Sequence, residues 1–404
     1  TAPKRSPWSG LRLPPGRDLL IAALLFAAGV GPLLFFKFRS GFIPGDLDIY
    51  RTAGILALHG KAPYGPHFGH GLRVDLPFTY PPFAAFAVIP LGLQPARMAQ
   101  VTWTAANLVM LGVMVWWLIR PALEKWGLDH PGYMAVAVVA FAWTIPMSQT
   151  IAYGQVNIFL GLICLIDCTR LTRYRGVLCG IAAAIKLTPG LFVVYFAVTR
   201  QWAAALRSAV AFVVCEGLAA AILPSGSSEY WFHLLWRLNR PGNPKKFFNQ
   251  SINGLIYHLN WPHWLWFPGV AVVAVAGLWR AAKAHRTGCE VAAVALVGLS
   301  AVLISPISWQ HHAVWIIMMF GALAAWATTP RRMAVAALLL VAFIAPVPQI
   351  GNLMINAHAA TPIGYILENS DIWVFIAMLF VLPLLPVTMQ ERAPAPVPAV
   401  ATTG

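Results

Sequence analysis

The chain is a succession of long apolar stretches separated by short polar breaks, and that pattern sets the solvent in which most of it must fold. The stretches 18–36, 98–119, 131–148, 155–169, 208–223, 263–280, 290–304, 311–328, 333–346 and 371–388 are dominated by Ala, Val, Leu, Ile, Phe and Trp. A helix that crosses the hydrocarbon needs about 20 such residues. Hydrophobic residues fill 59% of the 404 positions and charged residues 10%, against about 45–50% and about 25% in soluble domains. A soluble fold with this composition could not cover its surface, so the expected class is an all-α polytopic membrane protein. The shorter stretches fit spans whose neighbours are protein or a cavity rather than lipid. The net charge of +15 does not point to nucleic acid. The basic residues mostly occupy the short breaks, which is how cytoplasmic loops are marked.

The stretch 176–199 decides the topology. Its length suits one helix, but Lys186, Thr188, Pro189 and Gly190 interrupt its middle. Two short passes put Arg120/Lys125, Arg170/Arg173/Arg175, Arg200/Arg207, Arg280/Lys283/Arg286 and Arg331/Arg332 all on the side of the N-terminus. One pass sends the last three clusters outside. The positive-inside rule therefore favours two, and about twelve transmembrane segments in all. Residues 1–390 form one integral-membrane domain on this reading, with outward loops at 37–97, 224–262 and 347–370. The basic residues ahead of residue 18 predict a retained first span with its N-terminus inside. The Pro/Ala-rich tail 391–404 predicts a disordered cytoplasmic segment. Cys164, Cys168, Cys179, Cys215 and Cys289 fall in or beside apolar stretches without completing a ligand set, and are read as packing residues.

Nearly every unusual polar residue falls on the outward face. Only thirteen residues are Asp or Glu, yet Asp46 and Asp48 lie just after the first span. They open a short interfacial helix over 46–59 that Gly60 ends, and a second such helix is expected over 81–89. Residues at i and i+2 do not face one another on a helix. One carboxylate can therefore act as a general base while the other caps the helix. Lys186 is an ammonium at membrane depth and requires a partner, for which a lipid phosphate is suited. His311 and His312, beneath Trp309, are expected to open a helix with one ring facing a cavity, against a donor phosphate or a sugar hydroxyl. Arg237, Arg240, Lys245 and Lys246 run against the charge bias and suit an anionic ligand or anionic lipid. Asn249 and Gln250 could bind sugar or cap the helix that follows. Tyr64 and Tyr80 are among the outward aromatics on which a sugar face could stack.

These segments resemble a known family. GDLDIY, HGKAPYG and LPFTYPPFAAF between Gly45 and Phe86 are similar to the opening of the actinobacterial polyprenol-phosphate-mannose-dependent mannosyltransferases, membrane enzymes of GT-C architecture in glycosyltransferase family 87. YGQVNIFL, AAAIKLTPGLFVVYFAVTR, NQSINGL and SPISWQHHAVW resemble its further motifs. The resemblance implies that Asp46, four residues before Tyr50, is the base, with Asp48 as second choice. It adds Gln155 and Asn157 to Lys186 and the histidines on the donor side. It implies transfer of mannose, β-linked on a polyprenyl phosphate, to a phosphatidylinositol mannoside in an α-(1→2) linkage. The configuration then inverts in one displacement, with no metal and no cofactor beyond the lipid-linked donor, at the periplasmic face of the bacterial inner membrane. A decaprenyl-phosphate-arabinose-dependent arabinofuranosyltransferase is the rival within the fold. A lipid-linked-sugar flippase or transporter is a rival of another class, and calls for charges near the midplane and duplicated halves. No such repeat is visible. A non-catalytic membrane scaffold would leave the outward motifs without a role.

Overall fold

The computed structural model describes residues 15–39, 45–65, 68, 76–237, 240 and 242–386. The expected tail 391–404 and most of the segment before the first span lie outside the described residues. Among the described residues β-pairing is confined to one bridge, between Asn249 and Trp309, and the rest is helix and connection. The chain opens with α1 (Gly16–Arg39), α2 (Gly45–Leu58), α3 (Pro82–Ala87), α4 (Ile89–Gly92) and α5 (Ala96–Lys125). It continues through α6 (Pro131–Trp143), α7 (Ile145–Tyr153), α8 (Asn157–Thr169), α9 (Val177–Ile185), α10 (Leu191–Val198) and α11 (Trp202–Ile222). Then follow α12 (Pro224–Ser228), α13 (Ile252–His258), α14 (Trp266–Arg286), α15 (Glu290–Ile304) and α16 (Ile316–Trp326). The last elements are α17 (Pro330–Ile344), α18 (Val347–Asn356), α19 (Thr361–Glu368) and α20 (Ser370–Val381).

Helices α1, α5, α11 and the segment His263–Arg286 are each long and apolar enough to cross a membrane. Three bent pairs raise the number of such spans to as many as seven: α6 with α7 at 75°, α17 with α18 at 54° and α19 with α20 at 57°. Helices α8, α15 and α16 are shorter, and α15 shows why that is tolerated. Every residue from Val291 to Leu303 is buried, so the helix meets other helices on all sides. The outer helices instead present large apolar side chains outward, among them Leu24, Val213, Leu218, Phe267, Val275 and Leu338. Small residues let the inner helices approach closely. A Cβ on Gly298 would strike the Trp315 ring, and one on Gly277 would strike Ser300.

The segment 177–198 doubles back on itself. Gly176 and Gly180 lie against Ala204 and Ser208 in turn, so α9 runs parallel to the start of α11. Helix α10 returns into α11 through a turn at Arg200, whose φ is 60°. The two ends meet: Arg175 Nη1 donates to Gln201 Oε1 at 2.8 Å, and Arg207 Nη1 donates to the Arg175 carbonyl at 3.4 Å. Asp167, at the end of α8, accepts the Gly176 and Cys179 amides at 2.7 Å each. Further contacts collect the other basic clusters at this end of the bundle. Arg170 lies 4.4 Å over the Trp117 ring. Trp126 Nε1 donates to the Ala327 carbonyl at 2.9 Å. Arg280 donates to the carbonyls of Leu379 and Leu382. Lys186 is left at the tip of the hairpin, pointing away from all of them.

Two expectations need correction. The histidine pair does not open a helix: it lies on a single 3₁₀ turn, Gln310–His312, and α16 starts at Ile316. Pairing of the 248–250 segment with 308–310 holds this turn off the helix, through Gln250 N to the Ser308 carbonyl at 2.7 Å and Gln310 N to the Phe248 carbonyl at 3.1 Å. Residues 347–370 are not an open loop but the hairpin of α18 and α19, closed where Gly351 meets the Glu368 backbone. The two short helices expected after the first span, by contrast, occur as α2 and as α3 with α4, and Gly60, two residues past α2, has φ 64°.

The close start of the α9 hairpin sets an expected stability. Gly176 has φ 100°, and a Cβ there would lie 2.1 Å from the Ala204 carbonyl oxygen. Gly176→Ala should therefore cost about 1–3 kcal/mol, read as a lowered thermal midpoint of the detergent-solubilised protein. An unchanged midpoint would contradict the hairpin geometry.

Candidate active site

One narrow cavity is lined by the start of α8, the α9 tip and the segment around the 3₁₀ turn, and α2 packs on α7 beside them. Asp46 and Asp48 both lie in the first turn of α2. Asp46 accepts a hydrogen bond from the Gln155 side chain and feels the charge of Lys186. Asp48 sits about 200° further round the helix, since each residue advances about 100°. Gly154 makes the approach of α2 possible. It ends α7 in the left-handed region at φ 72°, and a Cβ on it would lie 2.7 Å from Leu47 Cβ. Trp103 Nε1 holds the Gly154 carbonyl at 2.8 Å, and Gln155 follows directly.

A buried phenol pair backs the carboxylate. The Tyr50 and Tyr80 hydroxyls are 2.6 Å apart, and the Gln155 Oε1 accepts from Tyr50 at 2.9 Å and from Tyr80 at 3.3 Å. With its oxygen occupied by the phenols, the Gln155 amide directs its N–H toward Asp46. Burial pushes both phenols above their usual range, so they stay protonated. Burial also raises the Asp46 carboxyl above the usual aspartate range, while the Gln155 hydrogen bond and the Lys186 charge pull the other way.

Lys186 lies close enough to this group for its charge to act on Asp46, and it lines the cavity. Its Nζ donates to Asn157 Oδ1 at 2.8 Å and lies 5.5 Å from the Tyr80 ring centre. Asn157 uses its other end too, donating Nδ2 to the His311 carbonyl at 2.8 Å, where Thr150 Oγ1 also donates at 3.1 Å. The α7–α8 corner thus fixes both the ammonium and the histidine turn. The two imidazoles pack edge to face with centroids 4.7 Å apart, and Tyr153 packs on His311 at 5.4 Å. Both ring nitrogens of His311 and Nδ1 of His312 are buried without a hydrogen-bond partner. Asn157, Lys186, Thr188, Ser308 and His312 line the cavity together, and the Ser308 hydroxyl also lacks a partner. Unmatched buried polar atoms of this kind mark a place for a polar ligand.

The remaining sequence candidates divide. Arg240 turns inward: Nη2 donates to the Phe78 carbonyl, and the guanidinium lies 5.7 Å over the Tyr64 ring. Tyr64 in turn donates to the Tyr80 carbonyl at 2.6 Å. Arg237, Lys245 and Lys246 are exposed. Asn249 and Gln250 are buried and occupied within the chain. Asn249 Oδ1 accepts from Ser308 N at 2.8 Å and from Ser251 Oγ at 3.0 Å, while Gln250 Nε2 donates to the carbonyls of Phe247 and Glu368. Ser251, not Asn249, caps α13 by accepting the Gly254 amide. Trp309 packs on Phe248 at 5.0 Å and covers Gly242. Sequence reasoning missed Thr150, Thr188, Ser308 and Gln310. The last three belong to motifs already quoted, and their neighbours drew the attention.

Residues 78–306 match glycosyltransferase family 87. A relative from Mycobacterium tuberculosis is 33% identical over 78% of this chain and 78% of its own length. It is named a polyprenol-phosphate-mannose-dependent alpha-(1-2)-phosphatidylinositol mannoside mannosyltransferase. A protein of the same name from Mycolicibacterium smegmatis is 33% identical over 67% of this chain and 68% of its own length. A second from that organism, named for a phosphatidylinositol pentamannoside, is 34% identical over 67% of each chain. No solved structure matches the chain. The family segment contains Tyr80, Gln155, Asn157, Lys186 and Asn249, and this chain belongs to glycosyltransferase family 87 as a helical, membrane-embedded glycosyltransferase.

Proposed function

We propose that this glycosyltransferase moves mannose from polyprenyl-phosphate mannose to a phosphatidylinositol mannoside, forming an α-(1→2) linkage at the periplasmic face of the bacterial inner membrane. The alignment of the basic clusters on one side supports that face for the cavity, since cytoplasmic loops carry the excess of Lys and Arg. The names of the relatives support the substrates. The observation that carries the chemistry is a buried carboxylate within electrostatic reach of a buried ammonium beside a polar cavity: Asp46, held by Gln155, feels the charge of Lys186, and Lys186 lines that cavity with Asn157, Ser308 and His312.

Asp46 takes the proton from the acceptor hydroxyl as that oxygen attacks the anomeric carbon. The bond from this carbon to the donor phosphate oxygen breaks on the opposite face, so a β-linked donor gives an α-linked product in one displacement. Polyprenyl phosphate leaves with its charge. Lys186 and the unpartnered imidazoles are fixed donors for that charge in a water-poor site, where such donors count most. No metal is needed in this scheme. Tyr50, Tyr80 and Gln155 hold the carboxylate in place. The exposed Arg237, Lys245 and Lys246 are suited to the phosphoinositol headgroup of the acceptor, and Arg240 stiffens the Tyr64–Tyr80 wall.

Purified protein should transfer mannose from a synthetic polyprenyl phosphate to a lipid mannoside, and should not transfer arabinofuranose from the corresponding donor. Asp46→Asn should lower kcat by about 100-fold or more in protein that still folds, and Asp48→Asn should retain activity. Full activity in Asp46→Asn would end the assignment of the base.

The pH profile offers a second check. The base works only when ionised, and burial raises its pKa. Activity should therefore fall on acidification at a higher pH than an ordinary aspartate would give. Lys186 lowers the Asp46 pKa, so Lys186→Met should move this acidic limb to still higher pH while raising the donor KM. An acidic limb that stays put in Lys186→Met would separate the two residues.

A further inference from the structure

The histidine turn has an unexplained support. Gln310, directly before the pair, is buried and joins three helices at once. Its Oε1 accepts Gln149 Nε2 from α7 and Gln349 Nε2 from α18, both at 3.1 Å. Its Nε2 faces Asp371 Oδ2, at the start of α20, at 3.5 Å. An ionised carboxylate can only accept, so Asp371 determines which end of the Gln310 amide faces it. The other end is then the oxygen that two glutamine amides require. The imidazoles have no such anchors. Both nitrogens of His311 and Nδ1 of His312 make no hydrogen bond within the chain, and the turn continues into no helix at Ala313. The direction of the rings therefore depends on the backbone of residues 310–312 and on what holds it.

We propose that Asp371 is a positioning residue, acting through Gln310 to aim His311 and His312 at the leaving phosphate of the donor. The proposal rests on the donor-site reading of the histidines given above. Asp371 touches no part of the cavity and takes no part in the chemistry. A role limited to balancing the N-terminal dipole of α20 would affect stability alone, and the two differ in measurable ways. A misplacement of about 1 Å far from the reacting atoms can cost about 100-fold in rate. A lost strut should therefore appear in kcat rather than in binding of the acceptor.

The test is transfer kinetics on the full chain with five variants: Asp371→Leu, Asp371→Asn, Gln310→Met, His311→Ala/His312→Ala, and Gln310→Met added to His311→Ala/His312→Ala. Asp371→Leu and Gln310→Met should each lower kcat about tenfold or more, with the acceptor KM within about twofold. Asp371→Asn keeps an acceptor for Gln310 and should restore most of the rate. Gln310→Met should cost nothing further once both imidazoles are gone, as residues acting in series are non-additive. Wild-type kcat in Gln310→Met overturns the proposal whether or not Asp371→Leu folds. So does an additive loss in the histidine-free background, or an Asp371→Asn as slow as Asp371→Leu. Full activity in His311→Ala/His312→Ala removes the donor-site reading and the strut with it. Loss there combined with wild-type rates in the Asp371 and Gln310 variants removes the strut alone.

Discussion

An ammonium inside a membrane-embedded bundle is tolerated only if something answers its charge, and the polar site of this protein is built around that demand. Lys186 interrupts an apolar stretch, and the chain reverses there instead of continuing as one helix. Reversal puts the ammonium at a hairpin tip, where Asn157 accepts one of its hydrogens and Asp46 supplies the opposite charge. Asn157 spends its other end on the histidine turn, so the groups that satisfy Lys186 also fix the far wall of the cavity.

Asp46 shows the complementary arrangement. A carboxylate that must take a proton works best with a raised pKa, yet burial without any partner would leave it neutral. Here burial raises it while one amide hydrogen bond and one distant positive charge restrain the rise. The phenols of Tyr50 and Tyr80 act at one remove. They occupy the oxygen of Gln155, so its N–H is the end that meets the carboxylate.

Much of this was legible in the chain itself. The apolar stretches give the helices, the alignment of basic clusters requires the reversal at Lys186, and Gly60 marks the end of α2. The family resemblance prefers Asp46 to Asp48 by its spacing to Tyr50, and Asp46 is the carboxylate that accepts from Gln155. What could not be read are arrangements that depend on distant segments meeting. The histidines look like the start of a helix because the residues after them are apolar; only the pairing of 248–250 with 308–310 shows that they are not. Asn249 and Gln250 look like sugar ligands for want of visible partners, and those partners lie about 60 and 118 residues away. The segment 347–370 carries no turn chemistry strong enough to announce a hairpin of helices.

Helix α15 carries a consequence beyond packing. At fifteen residues it spans about 22 Å, well short of the roughly 30 Å hydrocarbon layer. In contact with lipid, such a helix would thin the bilayer or tilt its neighbours. Because protein surrounds it on every side, the mismatch never arises, and bilayer thickness is felt by the outer helices alone.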